Sequence, residues 1–212
     1  MKKNKRRLIL QTIKEHVANN KKEYVIVSIL FVIGIFLGVF FINNVGQEPK
    51  TLITEYLNQF IEKLKSTEDL NLIELLKTSI GQNIMLAIGL WFFGTTIIGI
   101  PAVFGIVAYR GFCLGYTIAA CISIMGISKG IIFVLILLLL QNLLVIPAIL
   151  ALAVSGIKLY KSIMRDKTKE NVKIEMLRHT VFSLIMLMVL IVSSVIEIFV
   201  STNILKLCIK YF

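Results

Sequence analysis

Catalytic raw material is scarce in this chain. Its 212 residues include two histidines, three cysteines, three prolines and one tryptophan, and twelve acids stand against twenty-three bases. Cys113 and Cys121 lie in apolar sequence and Cys208 stands alone near the C-terminus, which excludes a disulfide framework, a Cys-x-x-Cys redox pair and zinc-type spacing. His16 and His179 both fall in basic segments beside apolar runs, away from any acidic or cysteine cluster, and read as solvated interfacial side chains. There is no Gly-x-Ser-x-Gly elbow, no His-Glu-x-x-His pair, no phosphate-binding glycine loop and no pair of aspartates within an apolar run. Serines scattered through apolar helices bond back to the backbone rather than attack substrates. The expectation is a protein that is not an enzyme and holds no cofactor or metal.

Charge is equally sparse, at 17% of residues, against 57% hydrophobic. Such a composition does not make a soluble domain of this size. What is abundant is long apolar sequence. Five stretches, 24–42, 81–109, 111–128, 130–157 and 180–205, are long enough at ~1.5 Å per helical residue to approach or cross a ~30 Å hydrocarbon core. The fold class expected is all-α, a polytopic membrane protein of five transmembrane helices forming a single membrane domain over 1–212. The first stretch is too long for a secretory h-region and no small-residue cleavage site follows Phe40, Phe41 and Ile42, so it reads as an uncleaved signal anchor.

Loop charge sets the orientation. Residues 1–23 carry Lys2, Lys3, Lys5, Arg6, Arg7, Lys14, Lys21 and Lys22 against two acids, and 158–179 carry Lys158, Lys161, Arg165, Lys167, Lys169, Lys173 and Arg178 against three. Both belong in the cytoplasm. Segment 43–80 has more acids than bases and belongs outside. With Arg110 at an inner turn, Lys129 at an outer one and 206–212 as an outer tail, the chain reads N-in and C-out. A rival reading makes 111–128 re-entrant, at the cost of placing seven bases outside. The net charge of +11 is therefore read as lipid-facing and topological, with no nucleic-acid partner.

Glycine and proline carry the packing signals. Gly34 and Gly38 are four apart, as are Gly111 and Gly115, a spacing that admits a neighbouring helix at backbone distance, either within the chain or in a homodimer. Pro101 and Pro147 are expected to kink the second and fourth spans, the latter beside Gln141 and Asn142. Glu197 is the only acid embedded in a span, a candidate intramembrane polar site whose partner Arg110 cannot be in this topology, being at the opposite face.

Outside the spans, Leu52, Ile53, Tyr56, Leu57, Phe60, Ile61 and Leu64 form one helical stripe. It rests on the membrane interface or the bundle, or else docks an extracytoplasmic protein through Tyr56, Leu57, Phe60, Ile61 and Leu64. A short second outer helix is expected from about Asp69 to Lys77, capped by Ser66 or Thr67. An amphipathic interfacial helix is expected over 8–17, on the inner leaflet.

The run Ile98, Gly99, Ile100, Pro101, followed by Arg110, Gly111, Phe112, Cys113, Leu114, Gly115, Tyr116 and Thr117, resembles the signature region of the stage II sporulation protein M family. The basic segment from Ile13 to Tyr24 and the layout of spans are similar to that family as well; a broader group of relatives has Asn where this chain has Arg110. The resemblance implies a non-catalytic membrane scaffold for forespore engulfment in endospore-forming bacteria, placed in the mother-cell membrane. It implies partners in stage II sporulation proteins D and P, which cut peptidoglycan. The alternatives are a small transporter or channel with a pathway between the second and fourth spans, and a permease-like subunit whose basic 158–179 loop meets an ATPase.

Overall fold

The computed structural model describes residues 17–65, 71–96, 99–165, 169–201 and 203–204. Every element among them is helical: α1 (Lys21–Asn44), α2 (Gln47–Lys65), α3 (Leu72–Thr95), α4 (Ile100–Met125), α5 (Ile127–Arg165) and α6 (Lys169–Ile196), which runs on into a π-helical turn, Glu197–Ser201. Among the described residues, four stretches are long and apolar enough to cross a membrane: Lys21–Asn44, Ile100–Met125, Gln141–Met164 and Val172–Val200. Their outer faces show the matching chemistry, since Phe36, Phe40, Tyr109, Leu143 and Met188 are all exposed. An all-α polytopic membrane protein results.

Side-chain contacts fix the direction of each helix. Lys161 near the end of α5 pairs with Glu23 at the start of α1, so that end of the bundle gathers the bases of α1, α5 and α6. Ser155 meets His179 and Gln141 meets Glu197, which makes α5 and α6 antiparallel. Ser79 meets Glu197 and Trp91 meets Thr180, so α3 is antiparallel to α6 and lies beside α5. Thus α1, α4 and α6 run away from the basic end and α3 and α5 return to it. Buried Leu90, Val107, Ile149, Leu152 and Leu190 form the shared core.

Helices α1 and α4 are parallel and meet backbone to backbone. A Cβ added to Gly34 or Gly38 would stand 2.1 or 2.2 Å from the carbonyl oxygens of Ala108 and Phe112, and one on Gly111 or Gly115 would stand 2.2 Å from those of Phe31 and Ile35. Each glycine pair therefore admits the other helix's backbone. Approach this close favours Cα–H···O contacts and dense dispersion. Beyond it, Phe41 packs edge-on against Phe112 at 5.7 Å between ring centres. The four glycines are engaged within one chain, and that face is not free for a second copy.

The breaks between helices differ from those expected. No turn occurs at Arg110: α4 passes through it, and the break falls earlier, around Thr96 and Gly99. Thr95 and Thr96 hydroxyls fold back on the carbonyls of Phe92 and Phe93, Thr96 is extended, and a Cβ at Gly99 would lie 1.9 Å from the Phe93 carbonyl oxygen. Pro101 sits in the first turn of α4, where it needs no partner for its missing N–H, rather than kinking a span. Residues 111–125 are the second half of a 26-residue helix and do not re-enter. Its end is Gly126, whose φ of 80° suits glycine, so the far turn precedes Lys129.

Two further boundaries move. The expected short helix around 69–77 is the start of α3 itself, capped by Asn71, whose side chain accepts from the Glu74 N–H at 3.2 Å. Gly81 does not interrupt it. Helix α5 runs unbroken for 39 residues, ~58 Å, with Pro147 inside it. The expected N-terminal helix over 8–17, the Ser66 and Thr67 caps, and the tail 206–212 lie outside the described residues, apart from Val17.

Candidate functional site

Polar side chains in the bundle collect in one seam, where α3, α5 and α6 meet. At its far end the π-helical turn carries Glu197 inward. Its Oε2 accepts from the Ser79 hydroxyl at 2.5 Å and from the Gln141 amide at 2.6 Å, so three helices converge on one carboxylate oxygen. Arg110, expected at the inner turn, lies within α4 instead. Gly111 packs on Phe31, roughly 15 Å along α1 from Lys21, which puts Arg110 in the middle of the bundle.

One turn along, Asn83 is buried and its amide donates to the Ser194 hydroxyl at 2.8 Å. Ser193 and Ser194 donate to the Leu190 carbonyl at 2.7 and 3.3 Å. Serine back-bonds of this kind loosen the helical ladder just before the π turn, which offers a physical reason for its position. Nearer the basic end, the Trp91 indole N–H donates to the Thr180 hydroxyl at 3.1 Å.

The seam finishes at His179. This ring is 2% exposed, against the expectation of a solvated side chain. Its Nδ1 shares a hydrogen bond of 2.8 Å with Ser155, and its Nε2 faces α3 near Gly94 and the Trp91 carbonyl without a well-formed bond. A Cβ on Gly94 would stand 3.1 Å from the Gly156 Cα, so the second and fourth spans, now α3 and α5, touch there instead of parting around a pathway. The seam joins hydroxyls, amides, an indole, an imidazole and one carboxylate across α3, α5 and α6, with the His179 Nε2 left unpaired. Chemically it fastens helices.

Of the residues singled out by sequence, Gly34, Gly38, Gly111 and Gly115 come together. The outer stripe divides. Leu57, Phe60 and Ile61, half-buried, pack on a cluster with Ile118, Cys121 and Phe133, the arrangement in which the stripe rests on the bundle. Tyr56, 72% exposed, and Leu52, 67% exposed, point away from it. Nothing is described of the Leu64 side chain. Ser79, Asn83, Ser155 and His179 were not read as a group; polar residues recurring in apolar helices were the available signal.

The family model described as Stage II sporulation protein M matches residues 27–202. No curated protein matches the chain, and no solved structure does.

Proposed function

The chain belongs to the stage II sporulation protein M family, which makes it a sporulation-related multi-pass membrane protein, and we propose that it is a non-catalytic scaffold holding peptidoglycan-cutting enzymes at the engulfing membrane. The basic end faces the cytoplasm on this reading, because α1, α5 and α6 bring their bases together there. Helix α2 then lies outside, where cell-wall enzymes work. The observation that carries the proposal is the outward ridge of Leu52 and Tyr56 on a helix whose opposite side is anchored to the bundle. An aromatic and a leucine held on a fixed helix make a suitable anchor for a protein partner. Stage II sporulation proteins D and P are the partners proposed.

Photo-crosslinkers placed at Leu52 and Tyr56 in sporulating cells are expected to capture these enzymes, and the double substitution Leu52→Ser, Tyr56→Ser is expected to lower their co-purification at least tenfold. Membrane insertion should be unchanged, since neither side chain is buried. Undiminished co-purification discards this surface. Substitution of Leu57 or Phe60 is a poor test by comparison, because it opens the cluster under α2.

A further inference from the structure

A small cavity of about 60 Å³ opens between α5 and α6 at the basic end, lined by Ser155, Lys158, Glu175, Arg178, His179 and Phe182. Its depth is informative. His179 lies against Gly94, just before α3 ends and turns into α4, and the pair of Lys161 with Glu23 lies further toward the same end. The cavity therefore sits where apolar helix surface gives way to charge, which is headgroup depth in a bilayer.

Its charges favour an anion. Arg178 is tied to Glu175 at 2.5 Å, three residues before it on the exposed side of α6. Lys158 has no ion-pair partner among the described residues, so the lining carries one positive charge in excess. Buried Ser155 and the His179 ring close the bottom, and Phe182 supplies an apolar wall. The volume is several times the roughly 10–15 Å³ that one water needs, and far below the ~300 Å³ of a pocket for a drug-sized ligand. It suits a single tetrahedral group.

We propose that this pocket holds the phosphoryl headgroup of an anionic phospholipid, with Lys158 and Arg178 as its cationic contacts. The lipid's tails extend along the apolar flank of α6 beyond Arg178, where Val181 and Ile185, three and seven residues on, are exposed. Basic pockets between membrane helices bind headgroups by this combination of charge and adjacent hydrocarbon. A lipid clamped there ties the α5–α6 hairpin to the membrane surface independently of any partner on α2.

The test uses the full-length protein, purified in a neutral detergent and freed of lipid, with thermal unfolding followed as lipid is added back. Phosphatidylglycerol is expected to raise the midpoint in a saturable way, with phosphatidylcholine and millimolar inorganic phosphate giving no comparable shift. Lys158→Gln and Arg178→Gln are each expected to weaken the apparent phosphatidylglycerol affinity about fivefold, as befits roughly 1 kcal/mol per basic residue near a membrane surface. Lys158→Arg keeps the charge and is expected to retain binding, which separates lost contact from misfolding. Lys50→Gln, at the other end of the bundle, should behave as wild type. Equal shifts with phosphatidylcholine, or with phosphate alone, overturn the proposal. So does wild-type affinity in both glutamine variants.

Discussion

Replacing Gly111 with valine is expected to abolish recovery of folded protein from membranes, with Gly115→Val and Gly38→Val close behind. Even the first carbon of the new side chain would lie 2.2 Å from the carbonyl oxygen of Phe31, and that oxygen belongs to backbone, which cannot rotate away. Relief requires α1 and α4 to separate along their contact, which breaks the most extensive helix pairing among the described residues. Overpacking where a flexible side chain yields costs about 1–3 kcal/mol; backbone against backbone belongs at or above roughly 4 kcal/mol, where single changes unfold marginal proteins. The control is Gly105→Ala, also on α4, where an added carbon meets nothing within 4 Å. Removing a helical glycine there should stabilise slightly, by about 0.5–1 kcal/mol. Monodispersity on size exclusion in detergent, followed by thermal unfolding, reads both. Wild-type behaviour of Gly111→Val would mean that α1 and α4 do not pack through these glycines.

The glycine spacings were legible in the sequence because a helix has a fixed period, and any pair four apart must share a face. Which faces meet was not legible, since two such pairs in one chain satisfy each other or a second copy equally well. Arg110 shows the converse error. A lone arginine between two glycine-rich apolar runs looks like a loop residue under a rule that places charge at membrane edges, yet Gly111 lets α1 approach so closely that the helix continues past it. The actual break uses residues with no charge at all, namely the back-bonding Thr95 and Thr96 and the crowded Gly99. His179 was misplaced for a related reason. Its neighbours in sequence are basic, whereas its neighbours in space, Ser155, Gly94 and Gly156, come from two other helices that no local pattern connects. The stripe on α2 was read correctly as amphipathic, and periodicity alone left open what would cover it.

Exchanging Glu197 for leucine is the other change with a large expected effect, and a double-mutant cycle with Arg110 makes the outcome diagnostic. The substitution removes the acceptor shared by Ser79 and Gln141. Each donor left without a partner away from water costs ~1–3 kcal/mol, so the two together cost roughly 2–6 kcal/mol. Arg110→Leu alone should cost less than Glu197→Leu, because the carboxylate keeps two donors. The double variant is expected to be more stable than the sum of the two single losses implies, by the attraction between the two opposite charges. Glu197→Gln retains a carbonyl acceptor for Ser79 and Gln141 and isolates the charge. Thermal unfolding of the four members of the cycle supplies the coupling. Additivity within about 0.5 kcal/mol would show that Arg110 and Glu197 act independently. Strong coupling makes the pair a fastener that fixes α4 against α3, α5 and α6, so that the far end of the bundle presents α2 in one orientation. A scaffold needs that rigidity, since a docked enzyme is positioned only as well as the helix that holds it.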